Sequence, residues 1–176
     1  MAIQKRTTYK IVMLGDGAVG KTSLIKQYIT HTFSENYLAT IGIQMSVKEY
    51  RIQNETIKVM FWDIAGQQAF SRVHPLYFQG ANAAILVYDI TRRTTFENVD
   101  FWYKRLMTYA PNAILILCGN KIDLANKRVV TRLEGQYKAK DFKMRYFVET
   151  SAKTGEGVDE LFEILFELVQ ILTGNI

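Results

Sequence analysis

The segment Gly15-Asp16-Gly17-Ala18-Val19-Gly20-Lys21-Thr22 constrains this chain more than any other. It fits G-x-x-x-x-G-K-[ST] and directly follows the apolar run Tyr9-Lys10-Ile11-Val12-Met13-Leu14. A strand that delivers the chain to a glycine-rich loop lets backbone N–H groups close around phosphate oxygens. A helix opening at Lys21 adds an N-terminal field that favours anions. In that setting Lys21 reaches the β- and γ-phosphates, and the Thr22 hydroxyl can ligate Mg2+. A plain glycine turn explains the glycines but not Lys21-Thr22 beside them. Accident produces the pattern in roughly 1 in 200 chains of this length. The segment reads as a nucleotide-phosphate site.

The base is addressed about a hundred residues later. Asn120-Lys121-Ile122-Asp123 follows a second apolar run, Ala113-Ile114-Leu115-Ile116-Leu117-Cys118. Guanine presents two donors, N1–H and N2–H2, on one edge, and a single carboxylate at Asp123 can accept both. Adenine has no such donor pair. Asn120 can bond the base and tie the loop together, while the stems of Lys21 and Lys121 flank the site. N-K-x-D alone is a weak signal, and a polar turn after a buried strand explains it equally well. Its order after the phosphate loop makes it strong.

Two further segments follow strands. Asp63-Ile64-Ala65-Gly66-Gln67 follows Lys58-Val59-Met60-Phe61-Trp62, and Ser151-Ala152-Lys153 follows Arg145-Tyr146-Phe147-Val148-Glu149. Asp63 at a strand end beside the phosphate loop can hold Mg2+ through water, and Gly66 can offer its N–H to a γ-phosphate. Ser151, Ala152 and Lys153 would bring another N–H near guanine O6. Each segment alone is an ordinary strand exit. Together, all these groups fall at the carboxyl ends of strands, where open α/β sheets bind their ligands.

These residues resemble the small GTPases of the Ras superfamily, and the Rab-like group most closely. The similarity runs from Thr8 to about Leu172 and includes Trp62-Asp63-x-Ala65-Gly66-Gln67, Ile85-to-Thr91, Phe96-Glu97-Asn98-Val99, Gly119-to-Asp123 and Glu149-to-Lys153. The resemblance implies a GTP-binding, slowly GTP-hydrolysing molecular switch acting in membrane trafficking or signalling. It places Asp16, Gly17, Ala18, Val19, Gly20, Lys21, Thr22, Ser23, Phe33, Tyr37 and Thr40 around the nucleotide, with Phe33 edge-on to the guanine. Thr40 joins Thr22 as a Mg2+ ligand, with Asp63 holding the ion through water, and Gln67 with Lys21 forms the catalytic pair. Gln67 would orient the attacking water, and Gly17 leaves room beside the γ-phosphate. The group also implies effectors, exchange factors and GTPase-activating proteins that dock on residues near 33–49 and 64–78.

The chain departs from that pattern in the same places. Ile64 stands where the family has Thr, Gln68 where it has an acid and Ala69 where Arg is common. Gln44-Met45 replaces Asp-Phe after Ile43. Switch II has lost charge and the effector strand its acid and aromatic, which marks an atypical member whose regulators and effectors are expected to differ from the common ones. No arginine lies between Phe33 and Thr40 to act as a finger in cis.

The alternation of patterns predicts an α/β fold with a six-stranded, mostly parallel sheet, one antiparallel edge strand and helices on both faces. Strands read at 9–14, 42–52, 56–62, 83–89, 113–118 and 145–149, and helices at 21–30, 68–79, 94–110, 131–140 and 158–172. Thr94-x-x-Glu97 reads as a capping box. The last helix sets Glu160, Glu163, Glu167 and Gln170 opposite Val158, Leu161, Leu165 and Leu168. With 176 residues, a single G domain over 1–176 is expected. One cysteine, Cys118, gives no disulfide framework, and no apolar run approaches a membrane span. A net charge of +5 without a clustered basic face argues against nucleic acid. A cytoplasmic location is expected, peripheral on cytosolic membrane faces only where a lipidated tail lies beyond Ile176. A P-loop kinase would use the same phosphate loop but has no need of Asn120 and Asp123.

Overall fold

The computed structural model describes residues 5–33, 42–52, 55–64 and 74–172. In chain order the elements are β1 (Lys5–Leu14), α1 (Lys21–Thr30), β2 (Ile43–Ile52), β3 (Glu55–Ile64), α2 (His74–Phe78), β4 (Ala83–Asp89), α3 (Arg93–Glu97), α4 (Val99–Tyr109), β5 (Ile114–Asn120), α5 (Arg132–Asp141), β6 (Tyr146–Thr150) and α6 (Val158–Leu172). A 3-10 helix spans Ile122–Lys127. The strands form one six-stranded sheet in the order β2-β3-β1-β4-β5-β6. Only β2 and β3 pair antiparallel, and every other neighbour is parallel. The expected architecture is the observed one.

Sequence explains the sheet's depth. The strands β4 (AAILVYD) and β5 (ILILCGN) are buried at every position, as befits parallel strands covered on both faces. Alternation on β1 divides the core in two. Tyr9, Ile11 and Met13 pack with Leu24, Tyr28, Leu161 and Leu165 on one face. Val12 and Leu14 pack with Phe96, Val99, Trp102 and Leu106 on the other. Fully burying side chains of this size stabilises by about 1.5–3 kcal/mol each, so both helical layers are held where the loops need them.

Three expectations need correction. The helix read at 94–110 is two helices, Arg93–Glu97 and Val99–Tyr109, separated by Asn98. Its capping box does not form, because the first helix starts one residue earlier and Arg92 is its N-cap, without a side-chain bond. Thr95 supplies the local bonds instead: its hydroxyl accepts from Asp89 N at 3.0 Å and donates to Arg92 O at 2.8 Å. The capping box that does form joins Thr131 and Glu134 at the start of α5. The 3-10 helix at 122–127 lay outside the periodicity reading. Gln170, read on the polar face of α6, is buried. Of the helix expected at 68–79, residues 68–73 lie outside the described residues, and His74–Phe78 is helical.

Candidate nucleotide site

The loop after β1 is shaped by two glycines. At Gly15, φ is +140° and a Cβ would sit 2.1 Å from the Val87 carbonyl oxygen; at Gly20, φ is +104° and a Cβ would sit 2.2 Å from Asn120 Nδ2. No L side chain fits either place. Within the loop, Lys21 Nζ donates to the carbonyls of Gly15 and Asp16, each at 2.8 Å. Lys21 is buried, and burial pulls its ammonium down to about 8, against the carboxylates of Asp63 and Asp16, which hold it up. An anion placed in this loop would restore the charge that burial disfavours.

The Asp16 carboxylate faces elsewhere. It accepts from Asn98 Nδ2 at 2.7 Å and Trp102 Nε1 at 2.9 Å, anchoring the loop to the start of α4. Asp16 therefore lines the loop with its backbone. The hydroxyl of Thr22 donates to Asp63 Oδ2, which brings the end of β3 to the first turn of α1. A hydroxyl and a buried carboxylate side by side are hard oxygen donors of the kind Mg2+ takes, so these residues fit that ion.

Three loops meet at Asn120. Its Nδ2 donates to Val19 O at 2.9 Å, and its Oδ1 accepts from Thr150 Oγ1 at 3.0 Å and Ala152 N at 3.1 Å. Asn120 is buried, so these bonds run in a low-dielectric setting where losing one is costly. Asp123 is exposed at the opening of the 3-10 helix, and its Oδ1 accepts from Ser151 Oγ at 2.6 Å. Ser151 Oγ in turn accepts from Thr154 N at 3.1 Å. Behind them Arg128 forks onto Glu149, with Nη1 at 2.5 Å and Nη2 at 3.1 Å from its two oxygens.

The ammonium of Lys121 bonds Asp89 Oδ2 at 2.7 Å. Burial works against ionisation of Asp89, but the bonds from Lys121 and Thr91 outweigh it and hold its carboxyl below the usual range. Ser23 is half-buried in α1, Phe33 is exposed just past that helix, and Lys153 is exposed after Ala152. The expectations for Tyr37, Thr40, Gly66 and Gln67 lie outside the described residues, as do Gln68 and Ala69. Sequence reasoning missed Asp89, Arg92, Trp102, Arg128 and Thr150. Their only local signal was position: Asp89 and Thr150 end strands, Trp102 lies on α4, and Arg92 and Arg128 sit in connections beside the motif loops.

The Ras family model matches residues 10–171. The chain belongs to the Ras family. Among its relatives, Rab-1 of Theileria parva is 40% identical over 156 residues, covering 88% of this chain and 70% of the relative. Rab-13 of Rattus norvegicus is 38% identical, covering 95% and 82%, and Rab-18 of Caenorhabditis elegans is 41% identical, covering 93% and 80%. It is a Rab-type small GTPase, a GTP-binding and GTP-hydrolysing switch of membrane trafficking that takes GTP or GDP with Mg2+. As a member of that family it is acted on by regulators and effectors. Among the described residues no helix is long and apolar enough to cross a membrane.

Proposed function

We propose that the loops after β1, β3, β5 and β6 form the guanine-nucleotide site of this switch, with residue roles as follows. The N–H groups of Gly17 to Lys21 cradle the phosphates, and the Lys21 ammonium neutralises charge on the β- and γ-oxygens. Thr22 and Asp63, with Thr40, would hold Mg2+, which supplies further neutralisation of phosphate charge. Asp123 accepts from guanine N1–H and N2–H2, with Lys121 alongside, and Ser151, Ala152 and Lys153 close over the base. Asn120 holds these loops in register. Gln67 orients the attacking water, and Gly66 and Thr40 lose a partner when the γ-phosphate leaves, releasing the segments near 33–42 and 64–78.

The observation that carries the reading is the junction at Asn120, where one buried amide fastens the phosphate loop to both base-side loops. Effectors and regulators read the neighbouring surface of β2, β3 and α2, where Met45, Val47 and Leu76 are exposed. A lipidated tail beyond residue 176 would bring that surface to a membrane.

The test is base selectivity. The protein should prefer GDP over ADP, and Asp123→Asn should weaken GDP by roughly tenfold to hundredfold, the cost of a charge-assisted bond, while improving xanthosine diphosphate. Equal retention of ADP and GDP would sink the assignment.

A further inference from the structure

We propose that Arg92 is a positioning residue that braces the phosphate loop against the base-side loop and thereby sets how long the nucleotide is retained. The inference rests on the nucleotide-site reading above and adds Arg92 and Asp89, to which that reading gives no role. Arg92 stands between β4 and α3, in an extended conformation. Its Nη2 donates to the Gly17 carbonyl at 2.8 Å, and its Nε donates to Asp89 Oδ2 at 3.2 Å. That same oxygen takes Lys121 Nζ at 2.7 Å. The other oxygen takes Thr91 N at 2.9 Å and Thr91 Oγ1 at 2.7 Å. One buried carboxylate thus holds two cations, one from each side of the site. Gly17 on the phosphate loop and Lys121 on the base loop are connected through it.

The bond to Gly17 matters because of the peptide it belongs to. The Gly17 C=O and the Ala18 N–H share one planar trans unit and point in opposite directions. Fixing the oxygen toward Arg92 fixes the Ala18 N–H away from Arg92. Ala18 also holds φ +62° without being glycine, a conformation that surrounding structure must enforce. Arg92 supplies that enforcement from outside the loop. A guanidinium can make both bonds at once because its donors are set in a rigid fork, whereas a lysine ammonium is a single point. The Arg92 side chain is 41% exposed, so solvent screens the bonds and the effect is a moderate one.

Release of a fluorescent GDP analogue from the Mg2+-loaded protein tests this. Arg92→Ala should speed release by roughly threefold to tenfold. Arg92→Lys, which keeps the charge but cannot bridge both partners, should also be faster than the unsubstituted protein. The control is Arg93→Ala, since Arg93 pairs with Glu134 away from the loop; it should leave release unchanged. The 31P resonance of the bound β-phosphate should move in Arg92→Ala and not in Arg93→Ala. Adding Ala18→Gly, which relieves the left-handed strain, should recover part of the loss. Release within twofold of the unsubstituted protein in both Arg92 variants, with the 31P line unmoved, overturns the proposal, whatever happens to thermal stability. Failure of the unsubstituted protein to retain GDP at all would instead overturn the site reading, and the brace with it.

Discussion

Asn120 Nδ2 donates to the Val19 carbonyl oxygen at 2.9 Å, so the residue that ends β5 is bonded to a loop about a hundred positions earlier in the chain. With its oxygen taken by Thr150 and Ala152, the amide is committed to holding loops together. Asn120→Ala removes all three bonds and leaves buried groups on Val19, Thr150 and Ala152 to be satisfied anew. At about 0.5–1.5 kcal/mol per bond, the loss should total roughly 2–4 kcal/mol, divided between melting temperature and GDP affinity. GDP release and thermal unfolding measure the two shares. An Asn120→Ala protein with normal values of both would show that the junction is dispensable.

Two glycines of the same loop should respond oppositely to substitution. Gly17 has no positive φ, and among the described residues nothing lies within 4 Å of a Cβ built there. Gly17→Ala should fold with stability within about 0.5 kcal/mol of the unsubstituted chain. Gly17→Val should retain GTP yet hydrolyse it more slowly, because the branched side chain occupies the space beside the γ-phosphate. Gly20→Ala combines φ +104° with a clash on Asn120 Nδ2. It should cost on the order of 3 kcal/mol from backbone strain and the displaced amide. Circular-dichroism melts of the three variants decide it, and equal melting of Gly17→Ala and Gly20→Ala would refute the contrast.

The same two loops show how much was legible in the sequence. The phosphate loop, Asn120, Asp123, Asp63 and Ser151 could be read because each needs a fixed residue type at a fixed distance from a strand end. The sheet could be read because β4 and β5 are continuous apolar runs. Tertiary partners could not. Nothing local says that Trp102 and Asn98 bond Asp16, or that Arg92 reaches Gly17, since those pairs lie 86, 82 and 75 positions apart. The misplaced capping box has the same origin. Thr94 and Glu97 have the right spacing, but the bond between Thr95 and the end of β4 fixes where the helix begins.

Ile64 illustrates a departure from the family pattern whose meaning changed with the structure. In the sequence it stands where the family has Thr, directly after Asp63. The side chain is 1% exposed and packs with Phe78, Leu86 and Val12. Ile64→Val should cost about 0.5–1.5 kcal/mol. Ile64→Thr has nearly the same shape as the Val variant but buries a hydroxyl, adding roughly 1–3 kcal/mol where no bond compensates. Denaturant midpoints of the pair would separate shape from polarity. Equal stability of the two variants would mean that the hydroxyl finds a partner, and would revive a role for this position in hydrolysis.

The buried lysine predicts how nucleotide affinity depends on pH. Burial lowers Lys21 from its ordinary 10.5 to about 8. Because the folded value lies below the unfolded one, the charged form carries a penalty that is fully present below about pH 8 and vanishes by about 10.5. Over that window the unfolded chain binds more protons, so the Lys21 contribution to folding stability rises with pH. Phosphate reverses the preference, because an anion beside Nζ stabilises the ammonium and raises its pKa. Affinity for GDP should therefore be level below about pH 8. Above it, affinity should fall as binding takes up a proton, by no more than about tenfold per pH unit for one titrating group. Lys21→Ala should bind weakly and lose this slope. Titrations with GDP between pH 7 and 9 measure it directly. An affinity that stays level to pH 9, or one that rises, would show that the phosphates do not rest on the Lys21 ammonium.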